Sequence, residues 1–532
     1  MKTKRSSRLW AAPLAALLLL TPACSEEAPP ASSAPAPTPA SRAESEASSA
    51  AQPQTIAGLV EGKEKPVLRQ LNIYLAKDYN TYPTAQVIEE GTGYQVEYDM
   101  LPSDGAADKL NLIMATQEPY DIVVYGGDSS LIMNYAKEGA LADLNPWLPM
   151  TAYLKDAIND YERDTFTLDG GLYAIGMQTP TFDGKSPVTL TTFVRQDYLD
   201  AMGRKMPDTL EGFQELLTQF KSFDNGTGSP TIPYTVSASN VILEGIIGAF
   251  GMPTEWNEAD GRLCHRAADP RMKDYLAYMK NLYQQGLIDV DYPANQSANV
   301  FEKFSTGVAA SAFLSCYDYQ NFADTMAGVQ PGAKIGYLPP LKGPDGTAAV
   351  GSVSGGMDRI AFIPKVTKNI EHVIHFMDLK LEPELFESIT IGEEGTHYTV
   401  NESGELWPIL PAFTDERGSS VNYYTGRPAA QYAEYWKLRV KKRADIWDCW
   451  NFINNDPSYT GVHVSSAIGY APVFASSQNV SSLNALFSDT CLKIIAGSSA
   501  VEEFDAMTAN WLEQGGRELT ADYNEWWAGY QK

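Results

Sequence analysis

The chain has 532 residues and a formal net charge of -26, with 40 Lys and Arg against 66 Asp and Glu. A polyanion of this size repels phosphate backbones and anionic lipid, which sets aside nucleic acid and a bare membrane surface as partners. Hydrophobic residues make up 44%, the share of a globular chain, and the length allows two or three domains with sizeable cores.

At the N-terminus Lys2, Lys4, Arg5 and Arg8 precede an apolar run from Leu9 to Leu20, closed by Thr21-Pro22-Ala23. Basic residues, a short apolar run and a small residue mark residues 1–23 as an export signal. The run is too short for a permanent transmembrane helix. Cys24 follows directly. That placement resembles a lipobox, whose cysteine thiol takes a diacylglycerol once the signal is cut before it, although Thr21 stands where lipoboxes usually carry Leu. The expected location is therefore the extracellular face of the cell membrane, with Cys24 as the lipid anchor. Residues 24–62 begin as an Ala/Ser/Pro-rich stretch that cannot build a core and should act as an extended tether. Loss of the signal removes four cations and no anion, which leaves a mature charge near -30. The other cysteines are Cys264, Cys316, Cys449 and Cys491. An oxidising exterior permits disulfides among them, their three possible pairings stay open, and the lack of CxxC spacing argues against zinc.

The folded part opens with a strand over Leu68 to Ala76, a helix from Tyr82 to Gly91 and a strand over Tyr94 to Met100. A helix around Asp108 to Thr116, a turn at Gln117-Glu118-Pro119 and the strand YDIVVYGG follow. Alternation of strand and helix predicts βαβ units and a largely parallel sheet. Further on, Leu210, Phe213, Leu217 and Phe220 recur at helical spacing behind an N-cap at Asp208 or Thr209. Tyr275, Leu276, Met279 and Leu282 form a second stripe, with Gly286 placed to end it. Phe504, Met507 and Trp511 form a third, ending on Gly515. These stripes are core.

The stretch KLNLIMATQEPYDIVVYGG, then YAKEGALADLNPWL, resembles the first lobe of extracellular solute-binding proteins of family 1, the sugar-type substrate-binding components of ABC importers. The similarity continues through VRQDYLDAMGRKMPDTLEGFQELLTQFKSFD, where Asp197, Gly203, Pro207 and Thr209 fit the family pattern. YLAYMKNLYQQGLIDVDY, FSTGVAASAFLSCYDYQ, FMDLKLEPELFESITIGEEGTHY and GGRELTADYNEWW extend it to Trp527. The resemblance implies an α/β fold of two lobes, of the type II periplasmic-binding-protein or Venus flytrap kind, joined by a hinge. The first lobe is expected over 66–178 and 351–400, the second over 179–350 and 401–532, with hinge strands near Thr179, Val350 and Val400. It also implies a carbohydrate ligand, an oligosaccharide given the chain length and the 11% of aromatic residues. ABC permease subunits are the implied partners, with no cofactor and no catalysis. A cell-surface polysaccharide-degrading enzyme, or a partner that presents sugar to a membrane receptor, would share the tether and the aromatics.

Ligand sites in such sheets lie at the carboxyl ends of strands. A sugar needs flat aromatic faces for its C–H surface and polar groups for its hydroxyls. Four places qualify: Lys77 and Asp78 after the first strand, Tyr125 and Asp128 after DIVV, Asn240 with Ser237 and Ser239 after IPYTV, and Tyr317-Asp318-Tyr319 after the small-residue strand GVAASAFLS. The last is ranked first, and Trp256 and then Trp407 are further platforms.

Catalytic and metal readings find little support. His372 and His375 lack a third ligand set by spacing, and the adjacent Glu393 and Glu394 cannot face one substrate from opposite sides. There is no GxSxG elbow and no Walker A loop. The loop FDNGTGSPTIP offers only Asp224 and Asn225 beside hydroxyls and carbonyls, too short and too poor in acids for calcium. A mature charge near -30 weighs against uronate-rich ligands, a sign that only a local basic cluster could reverse.

Overall fold

The computed structural model describes residues 54–103, 105–127, 129–180, 187–353, 357–466, 476 and 479–530. The export signal, Cys24, most of the tether and Asp128 lie outside them. The first described element, a short helix, lies inside the stretch expected as tether up to residue 62. Thr55 caps the short helix Ile56–Val60 by accepting from the Gly58 amide at 3.1 Å. Ile56 and Val60, four residues apart, are both buried, and Ile56 joins the first hydrophobic core.

That core surrounds a five-stranded sheet in the order Val96–Met100, Leu68–Asn72, Ile122–Tyr125, Met357–Phe362, Ala174–Gln178. Its first three strands run parallel, as the βαβ alternation predicts, and Met357–Phe362 lies antiparallel to both of its neighbours. Ile122, Val123, Val124 and Tyr125 are all buried, the continuous apolar run of a strand covered on both faces.

A second body is built around the antiparallel strands Ser311–Ser315, Leu190–Arg195 and Ile335–Tyr337. This corrects the expectation of a largely parallel sheet: here the segments near Ile232 and Thr235 join through isolated parallel bridges only. The helix Leu210–Lys221 starts at Thr209, whose hydroxyl accepts from the Gly212 amide, and buries Leu210, Phe213, Leu216, Leu217 and Phe220. Helix Met272–Gln284 buries Tyr275, Leu276, Met279 and Leu282, and Gly286 follows at φ 63°. The third stripe, on the helix Glu503–Trp511, buries Phe504, Met507 and Trp511, and its run ends on Gly515, whose φ of 125° is not helical; the chain kinks there before the helix Arg517–Tyr530.

These are the two lobes of a type II binding-protein fold. Met177 belongs to the first core and Val188 to the second; Val350 lies in the second lobe and Ile360 in the first. The remaining passage lies near Leu438–Val440 rather than at Val400. The Tyr423 hydroxyl donates to the Tyr79 carbonyl at 2.7 Å and the Thr84 hydroxyl to the Glu416 carbonyl at 3.1 Å, which keeps this stretch on the first lobe. The four described cysteines are free, with Cys316, Cys449 and Cys491 buried. Among the described residues no helix is long and apolar enough to cross a membrane.

The strand leading back to the first lobe is packed closely against the second. A Cβ on Gly248 would sit 1.7 Å from the carbonyl oxygen of Ala349. We predict that Gly248→Ala destabilises the protein by about 1–3 kcal/mol, because the obstacle is backbone and cannot rotate away. A melting temperature equal to wild type would contradict this packing.

Candidate functional site

A cavity of about 440 Å³ opens between the lobes. Asp358, Arg427 and Trp436 line it from the first lobe, and Glu244, Arg266 and Tyr317 from the second. Its volume is in the range of small-molecule sites. A second chamber of about 360 Å³ shares Tyr317, Asp358 and Trp436 and adds Arg359, Tyr432 and Lys442. A third, of about 220 Å³, shares Glu255 with the first and reaches Tyr161, Trp256 and Tyr523. The second and third chambers each share lining residues with the first.

The first-lobe wall is held by charge. Asp358, near the start of its strand, accepts from Arg359 Nη1 at 2.6 Å and from Arg427 Nη1 at 3.3 Å. Arg427 also donates to the Gln178 carbonyl at 2.5 Å and lies 4.5 Å above the Tyr432 ring. Both guanidinium groups are buried, and the Nε of each has no partner. Across the cleft, Arg266 donates to the Met252 carbonyl through Nε and Nη2. Glu244 Oε2 is buried without a partner; burial pushes this carboxyl up, against the pull of Arg266. Tyr317 and Trp436 meet edge to face, with ring centroids 6.3 Å apart. Trp436 packs on the first core and on the Val440–Trp450 region of the second lobe. Aromatic rings, unpartnered carboxylate oxygen and guanidinium donors together suit a polyhydroxylated ligand.

Of the described residues expected from sequence, only Tyr317 lines the main cavity; Trp256 lines the third chamber. Tyr319 is corrected to core: it is buried, its hydroxyl is 2.7 Å from that of Tyr337, and its ring packs on Phe193 and Phe322. Two residues along a tight helical turn point in nearly opposite directions, so Tyr317 and Tyr319 cannot share a face. Asp318 caps that turn by accepting from the Ser315 amide at 2.8 Å. Trp256 is buried with one face stacked on Tyr523 at 3.9 Å, so it offers no free platform. Asp78 closes a turn onto the Asn80 amide, and exposed Lys77 lies 4.8 Å over the Tyr82 ring. Tyr125 is buried at its strand end, and the Asn240 backbone holds a turn and accepts from Tyr292. Trp407 lines none of these chambers; Lys441 lies 4.4 Å over its ring.

The rejected catalytic residues have structural partners. His372 and His375 both direct Nδ1 at the Tyr94 hydroxyl, at 2.9 and 3.1 Å, and burial pushes both imidazoles below their ordinary value. His397 bonds the Glu393 amide and the Glu416 carboxylate. Asp224 and Asn225 accept from the Gly226 and Thr227 amides inside their own loop. Among the described residues no His/Cys/Asp/Glu group is arranged to hold a metal ion.

The model of the bacterial extracellular solute-binding protein family matches residues 78–392. The chain belongs to that family. It is similar to the polygalacturonan/rhamnogalacturonan-binding protein YtcQ of Bacillus subtilis strain 168, at 23% identity over 87% of this chain and 93% of that protein. Lipoprotein LipO of the same organism is 23% identical over 83% of this chain and 88% of its own. Among solved structures, the Streptococcus pneumoniae ABC-transporter substrate-binding protein FusA in complex with kestose superposes with a TM-score of 0.70. The identity is 19%, covering 88% of this chain and 99% of that one.

One buried carboxyl beside the cleft titrates near neutrality. Glu162 forms a capping box with Asn159, and burial, opposed by the Asn159 and Gln178 amides and by Arg427, pushes it up to about 7. The folded state then holds a proton that the unfolded chain releases near pH 4.5. Between these values rising pH favours the unfolded state. Wild type should therefore lose stability relative to Glu162→Gln as pH rises from about 4.5 to about 7. A stability difference that stays constant from pH 4 to 8 would show that folding leaves the Glu162 carboxyl unshifted.

Proposed function

We propose that the protein captures an oligosaccharide in the cleft between its lobes and delivers it to the transmembrane subunits of an ABC importer. The observation that carries this reading is the pairing of Tyr317 and Trp436 with the unpartnered Glu244 Oε2 and the guanidinium groups of Arg427 and Arg266 in one cleft. The rings cover the apolar face of a pyranose, and the charged groups bond its hydroxyls. The names of YtcQ and FusA, which bind or were solved with saccharides, support the same ligand class. Anchoring through Cys24 accords with the export signal and with the lipoprotein name of LipO. The protein acts by stoichiometric binding without turnover.

Calorimetric titration against a panel of oligosaccharides, with product analysis of the same mixtures, tests this. Binding of one sugar per chain without products is expected; release of shorter sugars would make it an enzyme. Trp436→Ala should weaken that binding by about 1–3 kcal/mol, as for an aromatic anchor in a binding site. Tyr317→Ala should act in the same direction. If both bind as tightly as wild type, the sugar lies elsewhere.

A further inference from the structure

The chamber beside Tyr317 and Trp436 carries an excess of positive charge that the fold does not neutralise. Lys442 lines it half-buried and makes no hydrogen bond or ion pair with any described residue. Its charged neighbours are cations: burial first, then Arg439, Lys77 and Arg443, push its ammonium down to about 8. Arg439, also in the lining, bonds neutral acceptors only, the Thr390, Arg417 and Gly418 carbonyls and the Ser420 hydroxyl. Arg443 has its own carboxylates, Asp445 and Asp324. Asp358 is the one acid in the lining, and Arg359 and Arg427 already share it. Buried Nε groups on both of these arginines lack acceptors. In a chain of net charge -26 this concentration of unneutralised cations faces an open chamber, where each is costly unless an anion arrives.

We propose that this chamber is the subsite for an anionic substituent of the captured glycan, a uronate carboxylate or a sulfate ester, with Lys442 as its counter-ion. The inference rests on the reading of the cleft as a glycan site. It reverses the expectation drawn from overall charge, because the field at a recessed site is set by the nearest groups and not by the sum over a screened surface. Tyr317 and Trp436 stand at the junction with the main cavity, so the ring that bears the anion would lie against them while its neighbours extend toward Glu244 and Arg266.

The test is calorimetric titration of the full chain with short oligogalacturonides, their methyl esters, sulfated galactan oligosaccharides and neutral galactan oligosaccharides. An acidic oligosaccharide should bind roughly 10- to 100-fold more tightly than its uncharged counterpart, the range of one charge-assisted contact. Preference for the uronate or for the sulfate identifies which anion the subsite takes. Lys442→Met should remove that preference; Lys442→Arg should restore most of it. The preference should also fade above about pH 8, as free Lys442 loses its proton. Equal binding of charged and uncharged sugars by wild type overturns the proposal and leaves the glycan reading standing, a result independent of whether any variant folds. An intact preference in Lys442→Met also overturns it. Failure of every oligosaccharide to bind overturns the glycan reading, and this inference with it.

Discussion

The cleft is organised by one carboxylate. Asp358 receives hydrogen bonds from Arg359 and Arg427, and Arg427 reaches on to the Gln178 carbonyl. Three chain segments that are remote in sequence are thereby fixed at one wall of the cleft: the end of Ala174–Gln178, the start of Met357–Phe362 and the approach to the helix Ala429–Val440, two residues before it. That helix presents Tyr432 and Trp436 to the cleft. Charge-assisted hydrogen bonds are short and directional, which is why one acidic residue can set the positions of two guanidinium groups and the aromatic helix beside them.

The opposite wall is set differently. Gly351, on the strand returning toward the first lobe, lies where a Cβ would meet the Pro253 carbonyl oxygen at 2.2 Å, so the segment Pro253-Thr254-Glu255 packs against bare backbone. Its neighbour Met252 holds Arg266, and Glu244 faces the same space. One wall is therefore tied by ion pairs and the other by close backbone packing. Both leave polar atoms without partners, and those atoms are what a ligand can satisfy.

Much of the architecture was legible because it is local. The stripe Leu210, Phe213, Leu217, Phe220 and its Thr209 cap need only helical periodicity, and the first-lobe strands only their apolar runs. The site was far less so. Tyr317 could be read from its place after a small-residue strand, but the direction of Tyr319 depends on a helical turn that adjacency in sequence conceals. Trp436 meets Tyr317 across 119 residues of chain, and it sits inside a helix where a search for post-strand loops does not look. One signal was present: the run Lys437, Arg439, Lys441, Lys442, Arg443 directly after Trp436 is conspicuous in so acidic a chain. Gly515 was legible for the same reason as the stripes, since a glycine with a φ of 125° ends one helix and kinks the chain before the next.

The central claim is that a glycan is held between the lobes against Tyr317 and Trp436. A crystal structure of the protein with a saturating bound oligosaccharide tests it most directly. The account predicts sugar density stacked on those rings, with Asp358 or Arg427 contacting it from one lobe and Glu244 or Arg266 from the other. A sugar bound to one lobe alone, or seated at exposed Trp407, would contradict it.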